Sequence, residues 1–255
     1  LTEMVFALDA GDRLVGRTER CNVPRQALKV PEIGAYLNPD IERVLAARPD
    51  LVLANLSATR KEVVERLARM GIPVFVADSV SIDGICSVIA RVGTLLHREA
   101  RSREIVAGIH ERLKALRVRV TGSDRPTVLF AVGTRPLVAA GGKSFVGALI
   151  REAGGVNIAE DAPKPFVRYS IEEVMKKDPD IILVLNKECV GDQCIDLWKE
   201  HGALTAVKKG RVHPLDADLM ARPSPRIMDG LEELARILDS VRSGRDAVGA
   251  RQDTR

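Results

Sequence analysis

Gly141-Gly142-Lys143-Ser144 is the segment whose residue types come nearest to a phosphate-binding loop. In such loops backbone N–H groups, a lysine ammonium and a hydroxyl gather around phosphate oxygens. The earlier glycine at the required spacing is missing, so the segment reads as a turn into a helix, with Ser144 capping the first-turn amides. No G-x-S-x-G elbow and no H-E-x-x-H pair occurs, which removes the commonest hydrolytic centres. His97, His110, His201 and His213 stand singly, the first two in one long helical stretch, and none of the four cysteines has zinc spacing. Cys189 and Cys194 enclose Val190-Gly191-Asp192-Gln193, a polar loop that a disulfide can close in an oxidising compartment, worth ~2 kcal/mol for so short a loop. Cys21 in a loop and Cys86 on an apolar helix face read as free thiols. No catalytic residues, metal ligands or cofactor are assigned, and the chain reads as a binder rather than an enzyme.

Binding groups, by contrast, collect in the loops that follow predicted strands. The first half offers Thr18 to Asn22 with Thr18 and Cys21, Gly34 to Asn38 with Tyr36 and Asn38, then Asn55, and Asp78-Ser79. The second half offers Gly133 to Pro136 with Arg135, the loop Phe166-Val167-Arg168-Tyr169, then Asn186-Lys187, and Asp218 to Arg222 with both end residues as candidates. Both tyrosines of the chain lie in these loops, while Trp198, the one tryptophan, is placed on an outer helix. Open α/β sheets take ligands at the carboxyl ends of their strands, where loops of this kind sit.

A duplicated unit positions those loops. Ile41-Glu42-Arg43-Val44-Leu45 leads through Arg48-Pro49-Asp50 to Leu51-Val52-Leu53, and Ile171-Glu172-Glu173-Val174-Met175 leads through Asp178-Pro179-Asp180 to Ile181-Ile182-Leu183. Each copy is a short amphipathic helix, a Pro-Asp stop and a buried parallel strand. A glycine-stopped helix and a strand ending at aspartate follow in both halves, around Gly71 to Asp78 and Gly210 to Asp216. The spacing predicts strands at Leu14-Val15-Gly16, Leu51 to Ala54, Val74 to Ala77, Thr127 to Val132, Ile181 to Leu185 and Val212-His213. It predicts helices over about Arg60 to Met70, Ser144 to Ala153 and Leu197 to Val207, and a last helix after Pro223-Ser224-Pro225-Arg226 to about Val241. From Ile82 the pattern is continuously helical, and no proline interrupts Glu99 to Val120, ~30 Å of rigid helix. The expected organisation is an N-terminal α/β lobe over 1–95, a bridging helix over 96–122, a C-terminal α/β lobe over 123–242 and a flexible tail over 243–255.

Hydrophobic residues make up 45% and charged residues 29%, with a mixed-sign net charge of +4. No run approaches the roughly 18 apolar residues of a membrane helix. An aromatic content of 3% and the absence of a basic stripe argue against nucleic acid as a partner.

Leu1-Thr2-Glu3-Met4 to Gly16, Cys21-Asn22-Val23-Pro24, Gly34 to Asp40, Arg48 to Leu53, Gly71-Ile72-Pro73-Val74 and Arg222-Pro223-Ser224-Pro225-Arg226 together resemble the substrate-binding proteins of cobalamin, haem and siderophore ABC importers. The cobalamin-binding branch is the nearest. The resemblance covers almost the whole chain and rests on the order and spacing of these segments. It implies two Rossmann-like lobes joined by one backbone helix, a ligand in the cleft, a monomer, and a periplasmic or lipid-anchored location. Cobalamin is the implied ligand, with haem or a ferric siderophore as alternatives; a tyrosine could then serve as axial ligand to haem. A metal chelatase or other enzyme on the same two-lobed plan is the alternative of a different class. The resemblance further implies docking to a membrane permease through one acidic residue on each lobe, here Glu62 and Glu200. Two departures stand out. Family members usually carry a strand and a Ser-Pro-Ser loop ahead of the Leu-Thr-Glu helix, and the cobalamin binders line their cleft with more aromatics than Tyr36, Phe166 and Tyr169.

Overall fold

In the computed structural model, which describes residues 1–56, 58–120, 124–185, 193–220 and 222–244, the repeated helix-Pro-Asp-strand segments lie one in each of two α/β units joined by one backbone helix. The first unit comprises Leu1–His110 with Pro223–Pro225, and the second Glu111–Arg222 with Arg226–Arg255. The division falls inside that helix.

The first unit runs through α1 (Thr2–Ala7), α2 (Ile41–Ala46), β1 (Val52–Asn55), α3 (Lys61–Arg69), β2 (Val74–Ala77) and α4 (Ile82–Leu95) into the first half of α5 (Glu99–Val120). Asp40 starts α2 by accepting from the backbone N–H groups of Glu42 and Arg43. Arg48, just before Pro49, takes a left-handed φ of 47° that ends the turn. β1 then pairs with β2 in parallel, Val52 opposite Val74 through Asn55 opposite Ala77. Ile41 and Val44 of α2 and Leu67 of α3 bury one face of this pair together with Ile33, Val52, Val63, Ile72 and Val74. The strand expected at Leu14-Val15-Gly16 does not form. A 3-10 turn occupies Gly11–Arg13, and the extended chain beyond it makes only a single bridge, Arg17 to Glu32.

The helical pattern that begins at Ile82 is also interrupted. His97 adopts φ 52° and the Arg98 N–H reaches back to the Gly93 carbonyl at 2.7 Å, which closes α4 in a left-handed cap. The two helices then cross where Gly93 meets Ser102; a Cβ at Gly93 would lie 2.5 Å from the Ser102 Cβ.

The second unit contains β3 (Thr127–Thr134), β4 (Leu137–Ala140), α6 (Phe145–Glu152), β5 (Val156–Asn157), β6 (Phe166–Arg168), α7 (Ile171–Lys177), β7 (Ile181–Leu185), α8 (Gln193–Lys199), α9 (Thr205–Lys208), β8 (Val212–Leu215), α10 (Ala217–Met220) and α11 (Ile227–Arg242). The sheet order is β6-β4-β3-β7-β8, with β5 paired to β3. β7 lies parallel to β3 and β8 parallel to β7, while β4 is antiparallel to both β3 and β6. All five residues of β7 are buried, as a doubly covered strand requires. Ser170 and Glu173 form a reciprocal capping box at the start of α7. Asp178 ends that helix at φ 38° and accepts from the N–H and hydroxyl of Thr205 at 2.7 and 2.6 Å, bonds that hold its carboxyl below the usual range.

Three features of the second half depart from expectation. Phe166-Val167-Arg168, expected as loop, is the edge strand β6. The single helix expected over Leu197 to Val207 is two, α8 and α9, with a turn between them. Trp198 lies on α8 but faces inward, 3% exposed, in a cluster with Leu129, Ile182, Val184 and Val212. The residues Cys189, Asn186-Lys187 and the tail from 245 lie outside the described residues, as does the Cys194 side chain.

Candidate ligand-binding site

In the first unit the carboxyl ends of β1 and β2 lie side by side. Asn55 closes β1 opposite Ala77; its side-chain amide donates to Ser79 Oγ at 3.4 Å, and its N–H donates to Thr59 Oγ1 at 3.2 Å. Helix α2 leads into the amino end of β1, so the chain entering α2 sits toward the opposite, carboxyl end. That entering chain is a small hairpin closed by a Gly34–Pro39 bridge. Gly34 is required there: φ is 101°, and a Cβ would lie 2.9 Å from the Asp40 nitrogen. The hairpin presents Tyr36 and Leu37 at 42% and 59% exposure, with Asn38 exposed beside them.

Thr18 lies on a segment paired with residues 31–34 through the bonds Arg17 N–H to Pro31 O, Ile33 N–H to Arg17 O and Glu19 N–H to Gly34 O. Cys21 follows one turn later, but its sulfur accepts from Thr2 Oγ1 at 3.0 Å and lies 3.4 Å from Thr18 Oγ1. The thiol therefore ties this loop to α1. Two residues that the sequence pattern did not single out stand at the same edge. Leu56 and Val80, just beyond the ends of β1 and β2, are 60% and 49% exposed. An apolar residue shortly past a strand end, where the chain should turn polar, was the available signal.

In the second unit β6, β3, β7 and β8 all point the same way, so their carboxyl ends share one edge. There the fold gathers Arg135 in the β3–β4 turn, Arg168 and Tyr169 at the end of β6, and Asp216 to Met220 after β8. Asp218 and Arg222 pair at 2.7 Å, with their side chains only 29% and 19% exposed. Phe166 opens β6 opposite Ala140, two residues behind that edge and about 7 Å along the strand. It remains 51% exposed. Tyr169 differs from Tyr36: its ring packs on the core cluster and its hydroxyl donates to the Ile158 carbonyl at 3.2 Å.

The other residues singled out in the sequence do not join these edges as reactive groups. Ser144 is buried, accepts from the Gly147 N–H at 2.9 Å and donates to the Gly141 carbonyl at 2.6 Å, while Lys143 donates to the Pro163 carbonyl at 3.3 Å. The Gly-Lys-Ser segment is thus a closed turn. Burial, and then the charge of Arg211, hold His213 below its ordinary pKa, so it stays a neutral imidazole. Burial, with Asp83 adding to it, pushes the Cys86 thiol up to about 11, far from a reactive thiolate. Among the described residues no group of three or more His, Cys, Asp or Glu is placed to hold a metal ion. Glu62 is exposed in the first turn of α3 and Glu200 is exposed directly after α8.

The periplasmic binding protein family matches residues 1–219. The vitamin B12-binding protein of Vibrio parahaemolyticus is 23% identical over 244 residues, 96% of this chain and 88% of the relative. The periplasmic vitamin B12 binding protein BtuF of Vibrio cholerae superposes with a TM-score of 0.86 at 24% identity, over 94% of this chain and 93% of that one. The periplasmic heme-binding protein RhuT of Roseiflexus sp. RS-1, in apo form, superposes at 0.85 with 26% identity, over 94% and 95% of the two chains. No helix among the described residues is long and apolar enough to cross a membrane.

Proposed function

Because this chain belongs to the periplasmic binding protein family, we propose that it captures a corrinoid, cobalamin, and delivers it unchanged to the membrane permease of an ABC importer. The observation that carries the reading is the make-up of the two strand-end edges. Each combines exposed apolar side chains, Tyr36, Leu37, Leu56 and Val80 in one unit and Phe166 in the other, with polar groups, Thr18, Asn38 and Asn55 against Arg135, Arg168, Asp218 and Arg222. A large ring with amide side chains needs that mixture: apolar area for the macrocycle and fixed polar groups for orientation. The relatives named as vitamin B12-binding proteins, similar along nearly the full length, support the same ligand. On this reading the protein is a monomeric carrier working in the periplasm, free or lipid-anchored, without nucleic acid as a partner and without catalysis. Glu62 and Glu200 are its contacts with the permease.

A haem-binding reading is favoured by one specific pair of observations: the likeness to a haem-binding protein at 26% identity, and a tyrosine, Tyr36, exposed at a hairpin tip beside the strand ends. Calorimetric titration separates the two. Cyanocobalamin is expected to bind 1:1 with a Kd of about 1 μM or tighter and haemin at least tenfold more weakly. Tight haemin binding with a Soret band lost in Tyr36→Ala, and no heat with cyanocobalamin, would assign the protein to haem. The E62R/E200R variant is expected to match wild type in this titration while losing uptake through the cognate permease, since rim charges act on encounter with the partner. Full uptake by that variant would remove both glutamates from the docking surface.

A further inference from the structure

Residues 137, 139, 167 and 169 turn toward the core cluster of the second unit. By the two-residue period of a strand, Val138, Phe166 and Arg168 therefore lie on the opposite face, and there Phe166 and Arg168 are exposed on an edge strand. Gly133, Val138 and Arg168 form one cross-strand row, with Arg135 in the turn just beyond Gly133. Two strand spacings separate the ends of that row, about 10 Å, a distance within the combined reach of two extended arginine side chains.

The second observation is electrostatic. Several arginines elsewhere in this unit meet carboxylates: Arg112 on Asp229 and Glu232, Arg117 on Glu152, Arg151 on Glu160 and Arg222 on Asp218. The guanidinium groups of Arg135 and Arg168 have no ion-pair or hydrogen-bond partner among the described residues. Both stand at the strand-end edge, and the exposed Phe166 lies two residues behind Arg168 on the same face of β6. A charged side chain on an edge strand also deters sheet-to-sheet pairing, but that purpose does not account for a second bare guanidinium at a turn tip.

We infer that Arg135 and Arg168 form an anion-selective subsite, with Phe166 as its apolar floor, that takes a phosphate or carboxylate group carried on a ring-shaped ligand. Guanidinium groups fork onto such oxyanions with charge-assisted bonds roughly twice as strong as those to a neutral amide. For the corrinoid proposed above, on which this assignment rests, the group is the phosphodiester of the nucleotide loop, and the amide side chains fall to the other polar residues. The protein is then selective for complete cobalamins over corrinoids that lack the phosphate.

The test is titration of wild type and R135Q/R168Q with cyanocobalamin and with dicyanocobinamide, which lacks the phosphodiester and nucleotide. Both side chains are exposed, and an unchanged thermal midpoint confirms that the variant is folded. Wild type is expected to prefer cyanocobalamin at least tenfold. The variant is expected to lose that preference, with cobinamide affinity unchanged within about twofold. Equal losses for both corrinoids, or no loss for either, would overturn the subsite. If wild type binds haemin and neither corrinoid, the reading of the ligand fails on its own. The subsite is then tested with haemin against its dimethyl ester: a tenfold preference for the free diacid that disappears in the variant upholds it, and equal binding overturns it. Binding of none of the four ligands would overturn both.

Discussion

Tyr36 and Tyr169 look equivalent in the sequence, each in a polar loop of its own half, yet they are held differently. Tyr36 stands at the tip of a hairpin whose shape Gly34 enforces, whereas Tyr169 turns its ring onto its own core and its hydroxyl to the Ile158 carbonyl. That carbonyl also accepts from Lys177 Nζ at 2.5 Å, so removing the tyrosine hydroxyl leaves it satisfied. Tyr169→Phe is therefore expected to cost only about 0.5–1 kcal/mol in a urea titration and to leave cyanocobalamin affinity unchanged. Tyr36→Ala is expected to weaken cyanocobalamin roughly tenfold without lowering the urea midpoint, as loss of an aromatic contact does. The reverse pattern would exchange the roles of the two residues. Residue type and loop position were legible in the sequence; whether a loop side chain turns outward or onto its own core was not, because that depends on a strand, β6, too short to show a period. Cys21 teaches the same lesson, its thiol being tied to Thr2, nineteen positions earlier.

Elements were legible where several residues repeat one signal. The helix-Pro-Asp-strand units, β2, β7, α6 and α5 all follow from apolar spacing bounded by proline or glycine, and α5 runs over Glu99–Val120, the stretch without proline. The stop between α4 and α5 was hidden because neither glycine nor proline marks it: His97 accepts the left-handed position, and a backbone bond from Arg98 to Gly93 closes the cap. The inward turn of Trp198 escaped because the cluster it fills is assembled from strands remote in sequence. Gly93 supplies a stability test at this scale. Helix propensity alone would credit Gly93→Ala with about 1 kcal/mol of stabilisation. A Cβ 2.5 Å from the Ser102 Cβ, where α4 meets α5, must instead push the two helices apart. Net destabilisation of about 1–3 kcal/mol is expected from thermal or urea unfolding; a stabilised variant would contradict the close crossing.

At the scale of the molecule, the duplication visible in the sequence becomes two α/β units, and each brings its candidate binding groups to the carboxyl ends of its strands. Spacing alone carried the duplication because buried parallel strands and their preceding helices leave a strong apolar pattern. The antiparallel extension β4–β6 left almost none, since β6 alternates over only three residues and β4 is buried at three of its four. The ligand's identity is the least legible layer, as it is set by a few exposed side chains and not by the fold. Under the proposed function, each of these edges contacts cobalamin. The groove of about 530 Å³ along α5 and α11 is the natural control, because Arg119, Asp229, Glu232 and Asp239 line it and ion pairs from Arg112 and Arg119 already engage its acids. Hydrogen–deuterium exchange with and without cyanocobalamin is the decisive measurement of this contact. Protection is expected in residues 18–22, 34–40, 55–56 and 78–80 of the first unit and 134–136, 166–169 and 216–220 of the second, with 229–239 unchanged. Protection confined to 229–239, or to one unit alone, would contradict it.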